Sequence, residues 1–418
     1  MKVSLINTAD SGGGAAVACK RLLNALRNKV QVNMLVQYKN SIHQAVISIL
    51  KTRVDFIIAK LNFLRERISF IAFYEKNKTV RFAFSTANVG IDVSKNRVIA
   101  QSDILHFHWI NQGFLSLSNL QKLFDLNKPI VFTLHDMWVF TGGCHYAGKC
   151  NHFMQQCGNC KFLTRPYGDD ISKKGWLLKQ QLFARNSNIT FVACSHWMAQ
   201  QARKSSLLQN FNIQSIPNPI DTTLYKPLNK TEIRKKWGLT ADAKIILFGA
   251  ANINDKRKGV AYLIEALEIL KKQYPNQRLD VVLFGKNKGF DITQIPFSTI
   301  SFQIITAEQE LVEIYNLASV FVLPSLEDNL PNMVMEALAC GIPVVAFNQG
   351  GIPEMIDHQQ NGYVAQYQSS DDFAQGIHWV LHNKGSNLQK NARKKVIDTY
   401  SEEIIAKQYI ALYQSVLK

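Results

Sequence analysis

Three carboxylates surround a proline in the segment LEDNLPNMVMEALACG, residues 326–341. Glu327 and Asp328 stand before Pro331, and Glu336 follows it. An apolar, strand-like run precedes the segment and a helical pattern ends it, so the carboxylates lie at a loop–helix junction. Such residues can form a general acid–base pair, a metal site or a set of ligands for a polar molecule. A metal site needs further ligands nearby, and an acid–base pair needs a carboxylate with a raised pKa. The sequence shows neither feature.

A second segment, ANINDKRKGVAYLIEAL, places cations before a predicted helix. Arg257 and Lys258 follow the strand-like run KIILFGA, where their charge and the helix N-terminus would neutralise a diphosphate. A solvated basic turn is the alternative, but the position at the carboxyl end of a strand favours ligand binding. The glycines Gly12–Gly14 lie at a similar strand–helix turn near the N-terminus. They allow close approach of a ligand to the backbone, although many such turns use glycine.

Strands that alternate with helices must position these residues. The N-terminal half contains the strand-like runs KVSLIN, QVNMLVQY, DILHFHW, KPIVFTLHD and NITFVACS. A proline-rich segment without periodicity, residues 216–229, reads as a linker, and the runs AKIILFGA, LDVVLFG, STISFQ, VFVLPS and PVVAF follow it. This alternation predicts an α/β protein with two Rossmann-like domains, whose parallel sheets face each other across a cleft. The length of 418 residues also favours two domains.

The segment PSLEDNLPNMVMEALACGIPVVAFNQGGIPEMI, together with DKRKG, VVLFG and NGYVA, resembles the retaining nucleotide-sugar glycosyltransferases of the GT4 type, which have the GT-B fold. That family carries two glutamates separated by seven residues. Glu336 matches the second glutamate, and Asp328 takes the place of the first with a side chain one methylene shorter. The resemblance implies an acceptor-side domain over residues 1–215 and a nucleotide-sugar-binding domain over residues 216–400. A C-terminal helix over residues 401–418 would pack back across the cleft.

The resemblance also implies roles for individual residues of the second domain. Glu336 would bind the ribose hydroxyls of the donor, Asp328 would lie near the transferred sugar, and Lys258 would bind the donor diphosphate. The family arginine would fall at Asn252, so Arg257 is a candidate substitute, and Glu327 is a candidate substitute for Asp328. Further donor contacts are implied for a glycine near the nucleobase and for the backbone amides before the helix. These residues are Gly285, Asn329, Leu330 and Pro331.

In the first domain, the resemblance places Gly13 and Gly14 over the diphosphate and His108 near the sugar. His135 and Asp136 end the run KPIVFTLHD and would face the cleft, either toward the acceptor or in a structural role. His108, Lys258, Asp328 and Glu336 are therefore the predicted catalytic set. Lys258, Arg257 and backbone amides can stabilise a diphosphate leaving group without a metal ion, so catalysis is expected to require no cofactor.

A cysteine-rich loop follows over residues 141–160. Its four cysteines have the spacing Cx5Cx6Cx2C, and they are Cys144, Cys150, Cys157 and Cys160. The CxxC end is typical of structural zinc sites, whereas the other spacings are irregular. Structural zinc, free thiols and disulfides thus remain alternatives. Loops of this kind after a segment similar to TLHDMW occur in capsule and exopolysaccharide transferases such as the colanic acid group.

The positive charge is confined to one half of the chain. Residues 1–215 contain 27 Lys and Arg against 10 Asp and Glu, whereas residues 216–418 contain 21 of each kind. This imbalance favours an anionic partner for the first domain, unless it serves only solubility. The segment 54–76 reads either as a basic amphipathic helix at a membrane interface or as an ordinary helix on its own sheet. No signal peptide or long apolar run is present, so we expect a cytoplasmic protein, peripheral on the inner face of the membrane.

The sequence thus predicts a retaining glycosyltransferase. It would use a UDP- or GDP-sugar to extend a polysaccharide or a polyprenyl-diphosphate-linked acceptor, as in exopolysaccharide, capsule or O-antigen synthesis. A nucleotide-sugar 2-epimerase of similar fold is the alternative within enzymology. A basic nucleic-acid-binding protein is the alternative outside it, but no nucleic-acid recognition motif is present, so no nucleic-acid partner is expected.

Overall fold

The computed structural model describes residues 1–240, 242–383 and 387–418. The chain divides into two compact units. The first comprises Met1–Asn218 together with Ile405–Lys418, and the second comprises Pro219–Ile404. The boundary between Asn218 and Pro219 lies inside the proline-rich segment 216–229.

The first unit is built on a seven-stranded parallel sheet in the order β3-β2-β1-β4-β5-β6-β7. Its strands are β1 (Lys2–Ala9), β2 (Gln31–Tyr38), β3 (Val46–Ser48), β4 (Ile104–Phe107), β5 (Ile130–Leu134), β6 (Ile189–Ala193) and β7 (Asn212–Ser215). Its helices are α1 (Gly14–Leu26), α2 (Arg53–Phe73), α3 (Arg97–Gln101), α4 (Leu117–Phe124), α5 (Ile171–Ala184) and α6 (His196–Lys204). Strands β4, β5 and β6 are buried along their whole length, as expected for a parallel sheet covered on both faces.

The second unit contains a six-stranded parallel sheet in the order β10-β9-β8-β11-β12-β13. Its strands are β8 (Ile245–Asn252), β9 (Asp280–Lys286), β10 (Ser298–Phe302), β11 (Val320–Leu323), β12 (Val344–Phe347) and β13 (Gly362–Ala365). Its helices are α7 (Lys230–Lys236), α8 (Val260–Gln273), α9 (Glu308–Leu317), α10 (Asn332–Ala339), α11 (Ser370–His382) and α12 (Leu388–Tyr400). This strand order is that of a doubly wound dinucleotide-binding sheet. The prediction of two Rossmann-like halves with parallel sheets is confirmed.

The last helix, α13 (Glu402–Val416), completes the core of the first unit rather than that of the second. Its buried residues pack with side chains of β1, β2 and α1 in one hydrophobic cluster. Those residues are Ile405, Ala406, Tyr409, Leu412 and Tyr413. No helix within the described ranges is both long and apolar enough to cross a membrane.

Candidate active site

The strand order reverses between β8 and β11 in the second unit, so the loops that follow these two strands lead in opposite directions. The space beyond the carboxyl ends of such strands is where ligands bind in open α/β sheets. Lys258 lies in the loop after β8, and Asp328 lies in the loop after β11. The structure thus brings together two residues that are 70 positions apart in sequence.

Lys258 and Asp328 form an ion pair at this edge of the sheet. Lys258 Nζ donates to Asp328 Oδ2 over 2.7 Å, and the two side chains are 25% and 15% exposed. A partly exposed pair contributes little to stability, because solvent screens it. It can therefore open for a ligand that offers an anion to the lysine and hydroxyl groups to the carboxylate.

Two glycines allow the loops of this edge to pack closely. Gly259 has a positive φ of 71°, and a Cβ atom there would lie 1.9 Å from the carbonyl oxygen of Pro324. Gly350 has a φ of 62°, and a Cβ atom there would lie 1.9 Å from the carbonyl oxygen of Asp328. Glycine at these two positions therefore allows backbone segments to pack against Pro324 and Asp328, at both ends of the loop after β11.

Arg257, the other predicted phosphate ligand, interacts with Asp255 in the same turn. Its Nη2 and Nε donate to the Asp255 carboxylate over 2.7 and 3.2 Å. Burial raises the pKa of Asp255, but the hydrogen bonds and charge of Arg257 outweigh this and lower the pKa below its ordinary value. Arg257 is half exposed, and Asp255 holds its guanidinium within the turn that carries Lys258.

Glu336 lies on α10, a short distance along the chain from Asp328, and is 5% exposed. Tyr315 Oη, on α9, donates to Glu336 Oε2 over 2.7 Å. Burial, followed by the charge of Glu336, raises the pKa of Tyr315 well above its ordinary value, so this phenol remains a donor. Tyr315 was not predicted as a site residue, and its position in an ordinary helical pattern gives no signal.

The remaining residues predicted for the donor site lie on the same unit. Asn329, Leu330 and Pro331 are buried at the start of α10. Gly285 has a φ of 120°, and a Cβ atom there would lie 1.7 Å from the carbonyl oxygen of Ala250 in the neighbouring strand. Only glycine fits this position, which brings the ends of β8 and β9 together.

The first unit has its own reversal of strand order, between β1 and β4. Gly13 and Gly14 begin α1 after β1, where no side chain caps the helix, and a Cβ atom on Gly13 would meet no other atom within 4 Å. Thr8 at the end of β1 donates to the carbonyl oxygens of Trp109 and Asn111, both over 3.0 Å. The glycine turn is thus tied to the loop that carries His108.

His108 and His135 lie at the carboxyl ends of β4 and β5 and share a hydrogen bond. His108 Nδ1 and His135 Nε2 are 2.9 Å apart, and His135 Nδ1 lies 3.6 Å from the thiol of Cys194. Burial lowers the pKa of His108 well below its ordinary value and that of His135 to about 4. Both imidazoles are therefore neutral near pH 7, and the buried Nε2 of His108 has no hydrogen-bond partner among the residues that the structure describes.

Asp136 holds the loop around these histidines. Its carboxylate accepts from Trp138 N, from Trp109 Nε1 and from His145 Nδ1, over 2.8, 3.0 and 2.7 Å. Burial raises the pKa of Asp136, but the His145 charge and these hydrogen bonds lower it further than burial raises it. These three hydrogen bonds within the protein favour the structural role of Asp136 over contact with the acceptor.

The four cysteines considered as zinc ligands lie in or against hydrophobic clusters. Among the described residues, no group of three or more His, Cys, Asp or Glu side chains is arranged to hold a metal ion, and all seven cysteines are unbridged. Cys157 Sγ instead accepts from Gly142 N over 3.1 Å, and Cys160 packs with Phe70, Phe84 and Leu163. Burial raises the pKa of Cys157 and Cys160 to about 12, so these thiols are protonated and serve as apolar packing groups. Of the three alternatives left open by the spacing, the structure shows free thiols, and zinc binding stays a prediction.

Two Rossmann-like units, each built on a parallel sheet, are the domains of the GT-B fold, and the second carries a lysine–carboxylate pair where its strand order reverses. Residues 12–224 match the model of the family Glycosyltransferase Family 4, and residues 229–398 match that of Glycosyl transferases group 1. The chain belongs to Glycosyltransferase Family 4, as its sequence motifs indicated.

Three relatives illustrate this membership. The chain is 27% identical over 162 residues to an uncharacterized glycosyltransferase of Haemophilus influenzae, a match covering 36% of this chain and 44% of that protein. It is 29% identical over 164 residues to N,N'-diacetylbacillosaminyl-diphospho-undecaprenol alpha-1,3-N-acetylgalactosaminyltransferase of Campylobacter jejuni, with 38% and 42% covered. It is also 22% identical over 335 residues to the putative colanic acid biosynthesis glycosyl transferase WcaC of Escherichia coli, with 75% and 76% covered.

Solved structures share the fold over nearly the whole chain. The structure of HepE from Anabaena in complex with UDP-glucose has a TM-score of 0.63 and 16% identity, and the match covers 99% of this chain and 100% of that one. The lipopolysaccharide glycosyltransferase WaaG has a TM-score of 0.61 and 14% identity, with 97% and 98% covered.

Proposed function

We propose that this glycosyltransferase moves a hexose from a nucleotide-sugar donor to a polysaccharide or lipid-linked acceptor, with retention of the anomeric configuration. The observation that carries the proposal is the Lys258–Asp328 pair at the strand reversal of the second unit, with Glu336 on the adjoining helix. It combines a cation for a diphosphate with carboxylates for sugar and ribose hydroxyls.

A UDP-sugar or GDP-sugar fits this set of groups. The diphosphate would replace Asp328 as the partner of Lys258, while the uncapped N-terminus of α8 adds partial positive charge. The freed carboxylate of Asp328 would accept hydrogen bonds from sugar hydroxyls, and Glu336 would bind the ribose. The binding of UDP-glucose by HepE, which has the same fold, supports a nucleotide-sugar donor.

The proposed reaction breaks the bond between the anomeric carbon and the diphosphate oxygen. The acceptor hydroxyl attacks from the face that the diphosphate leaves, a new glycosidic bond forms, and the hydroxyl proton passes to the departing diphosphate. Lys258 stabilises the charge that develops on this leaving group, so the side chains present suffice for the step. No carboxylate in the described ranges is assigned as a covalent nucleophile.

The proposal for the acceptor rests on the positive charge of residues 1–215 and on the names of two relatives. The excess of cations in residues 1–215 suits an acceptor carried on an anionic membrane face, such as a polyprenyl diphosphate. The Campylobacter jejuni relative is named for a diphospho-undecaprenol acceptor, and WcaC for colanic acid biosynthesis. The first name supports a polyprenyl-diphosphate-linked acceptor, and the second supports a role in polysaccharide biosynthesis.

Thermal unfolding in the presence of UDP-, GDP-, ADP- and CMP-sugars tests the donor assignment. A donor at about one hundred times its Kd raises the free energy of unfolding by about 2.7 kcal/mol. We expect one nucleotide class to do so and the variant Glu336→Gln to lose most of the effect. Glutamine keeps an acceptor for Tyr315 Oη, so the fold of this variant should be intact.

A donor-only incubation separates transfer from isomerisation. We expect the sugar nucleotide to remain unchanged, apart from slow hydrolysis, until an acceptor is added. An isomerised sugar nucleotide without acceptor would instead identify an epimerase.

A further inference from the structure

Helix α2 presents large apolar side chains to solvent and buries three polar side chains against the protein, unlike an ordinary surface helix. Its buried polar residues are Asn62, Glu66 and Arg67, and its buried apolar residues are Ala59 and Phe70. The outward face carries large apolar side chains that are 38–62% exposed, namely Val54, Ile57, Leu61, Ile68 and Ile71. Their spacings of three, four, seven and three residues place them in one stripe along a helix of about 30 Å.

The polar inner face fixes this orientation. Arg67 Nη2 and Glu66 Oε1 form a buried ion pair of 2.9 Å. Glu66 Oε2 also accepts from Gly113 N over 2.8 Å, and Arg67 Nη1 donates to the carbonyl oxygens of Arg81 and Phe84 over 2.7 and 3.1 Å. Rotation of the helix to bury its apolar stripe would break these bonds and leave buried charges unpaired, at a high free-energy cost.

The exposed apolar surface is wider than the stripe that pairs two helices. Phe56 and Ile58 flank it on either side and are 53% and 44% exposed. Phe73 at the end of the helix and Phe82 in the following loop are 75% and 58% exposed. A broad apolar face with aromatic residues is typical of helices that lie in a bilayer interface, whereas a coiled-coil seam is narrower.

The charges around this face are predominantly positive. Its exposed ionisable side chains are cationic, and they are Lys51, Arg53, Lys60 and Arg65. The two acids of the segment are engaged elsewhere, Asp55 in the capping box with Thr52 and Glu66 in the buried pair. A second copy of the chain would bring cations against cations, whereas an anionic lipid surface complements them.

We propose that the outward face of α2 docks on an anionic phospholipid bilayer, with its apolar side chains inserted among the acyl chains and its cations at the headgroups. In this proposal, membrane binding depends on one helix and on insertion of its apolar side chains. It does not depend only on a general electrostatic attraction between the basic first unit and the membrane. It involves no residue of the donor site, so it stands independently of the proposed reaction.

Flotation of the full-length protein with vesicles tests this proposal. We expect binding to vesicles of phosphatidylcholine and phosphatidylglycerol, and much weaker binding to phosphatidylcholine alone. Lys60→Gln with Arg65→Gln should weaken binding roughly fivefold for each cation removed. Once bound, the protein should resist about 1 M NaCl, where the Debye length is about 3 Å, because inserted side chains are not screened.

The decisive variant combines Ile57→Ser, Leu61→Ser and Ile68→Ser. A matched control combines Ile292→Ser, Ile304→Ser and Ile397→Ser, three isoleucines of the second unit that are 41–61% exposed. We expect the α2 variant to lose vesicle binding by at least about tenfold and the control to keep it, with unchanged melting temperatures and donor-induced shifts in both.

Equal vesicle binding by the α2 variant and the wild type would overturn the proposal, as would a wild type that ignores anionic vesicles at low salt. A wild-type dimer by light scattering that the α2 variant abolishes would assign the face to a second copy and overturn it too.

Discussion

The carboxylate of Asp328 is positioned by backbone contacts on one side and by Lys258 on the other. Asn329 N donates to Asp328 Oδ1 over 3.1 Å, so the carboxylate is also held by the backbone of its own loop. The lysine is the mobile partner of this pair, since it has the longer side chain and the larger exposed fraction. At the scale of single residues, Lys258 therefore provides the sharpest test of the proposed chemistry.

Lys258→Met removes the charge and keeps most of the volume. We expect kcat to fall by roughly 10²–10³, as for loss of one group that stabilises charge in a transition state. The melting temperature should change little, because a partly exposed ion pair contributes about 0–1 kcal/mol. Lys256→Met, an exposed lysine of the same turn, is the control and should retain activity. An activity of Lys258→Met within tenfold of the wild type would exclude the leaving-group role.

The buried histidines predict a loss of stability in acid. Burial lowers the pKa of His106 to about 3 and that of His135 to about 4, so the folded state binds their protons less readily than the unfolded chain. The stabilisation from the neutral imidazoles is complete above the ordinary pKa of about 6.5 and is lost as the pH falls toward 4. Each histidine can contribute up to about 1.4 kcal/mol per pH unit in this window.

Urea unfolding between pH 7 and 4 measures this effect. His135→Gln should flatten the decline, whereas His196→Gln, at an exposed position, should leave the slope unchanged. A stability independent of pH over this range would show that the histidines are not buried in neutral form.

At the scale of elements, the cysteine-rich loop acts as a support for the segment after α2. Isolated antiparallel β-bridges pair Glu75 with Leu163 and Phe84 with Cys144. The Phe84 ring stacks on Phe70 at a centroid distance of 5.4 Å. Gly143 leaves room for the Phe84 ring, since a Cβ atom there would lie 2.4 Å from it. The loop thus holds the polar inner face of α2 in place by apolar packing.

This packing predicts a response to chelation and to substitution. The melting temperature should be the same with and without EDTA, and elemental analysis should find no stoichiometric zinc. Cys157→Ser with Cys160→Ser should be destabilising, because each new hydroxyl must be buried, whereas the double alanine variant should be affected less. Stoichiometric zinc together with a lower melting temperature in EDTA would restore the metal site.

The elements that were predicted well have a regular local pattern. The helices predicted after Lys258 and at the end of the segment 326–341 are α8 and α10. Strand β3 has only three residues, and β7 has one apolar residue among four, so neither forms a clear apolar run. Pairings such as Tyr315 with Glu336, or His106 with Tyr413 over 2.7 Å, connect distant helices and strands and have no local signature. The spacing of the four clustered cysteines likewise does not determine where their thiols point.

At the scale of the whole molecule, the two units differ in how much of the chain each needs. The second unit is continuous from Pro219 to Ile404, whereas the first unit also requires Ile405–Lys418. Without that segment, the apolar side chains that contact Tyr409 and Leu412 would be exposed. Loss of Tyr413 would also leave Nδ1 of the buried His106 without its hydrogen-bond partner, although Nε2 would keep Thr133.

Expression of separate fragments tests this difference. Residues 219–404 should fold alone and show the donor-induced thermal shift, since Lys258, Asp328 and Glu336 all lie within them. Residues 1–218 should be aggregated or partly unfolded, and fusion of residues 405–418 through a flexible linker should restore a cooperative transition. A stable, cooperative fragment 1–218 would show that α13 is dispensable for the first unit.

The return of the chain to its first unit affects the order of events during synthesis. A ribosome that adds about 5–20 residues per second completes residues 219–404 before residues 405–418 emerge. The unit encoded second can therefore finish folding first, while the sheet encoded first waits with part of its apolar surface uncovered. During that interval the nascent chain is a substrate for chaperones, and a premature stop before residue 405 would release a polypeptide whose later half is native and whose earlier half is not.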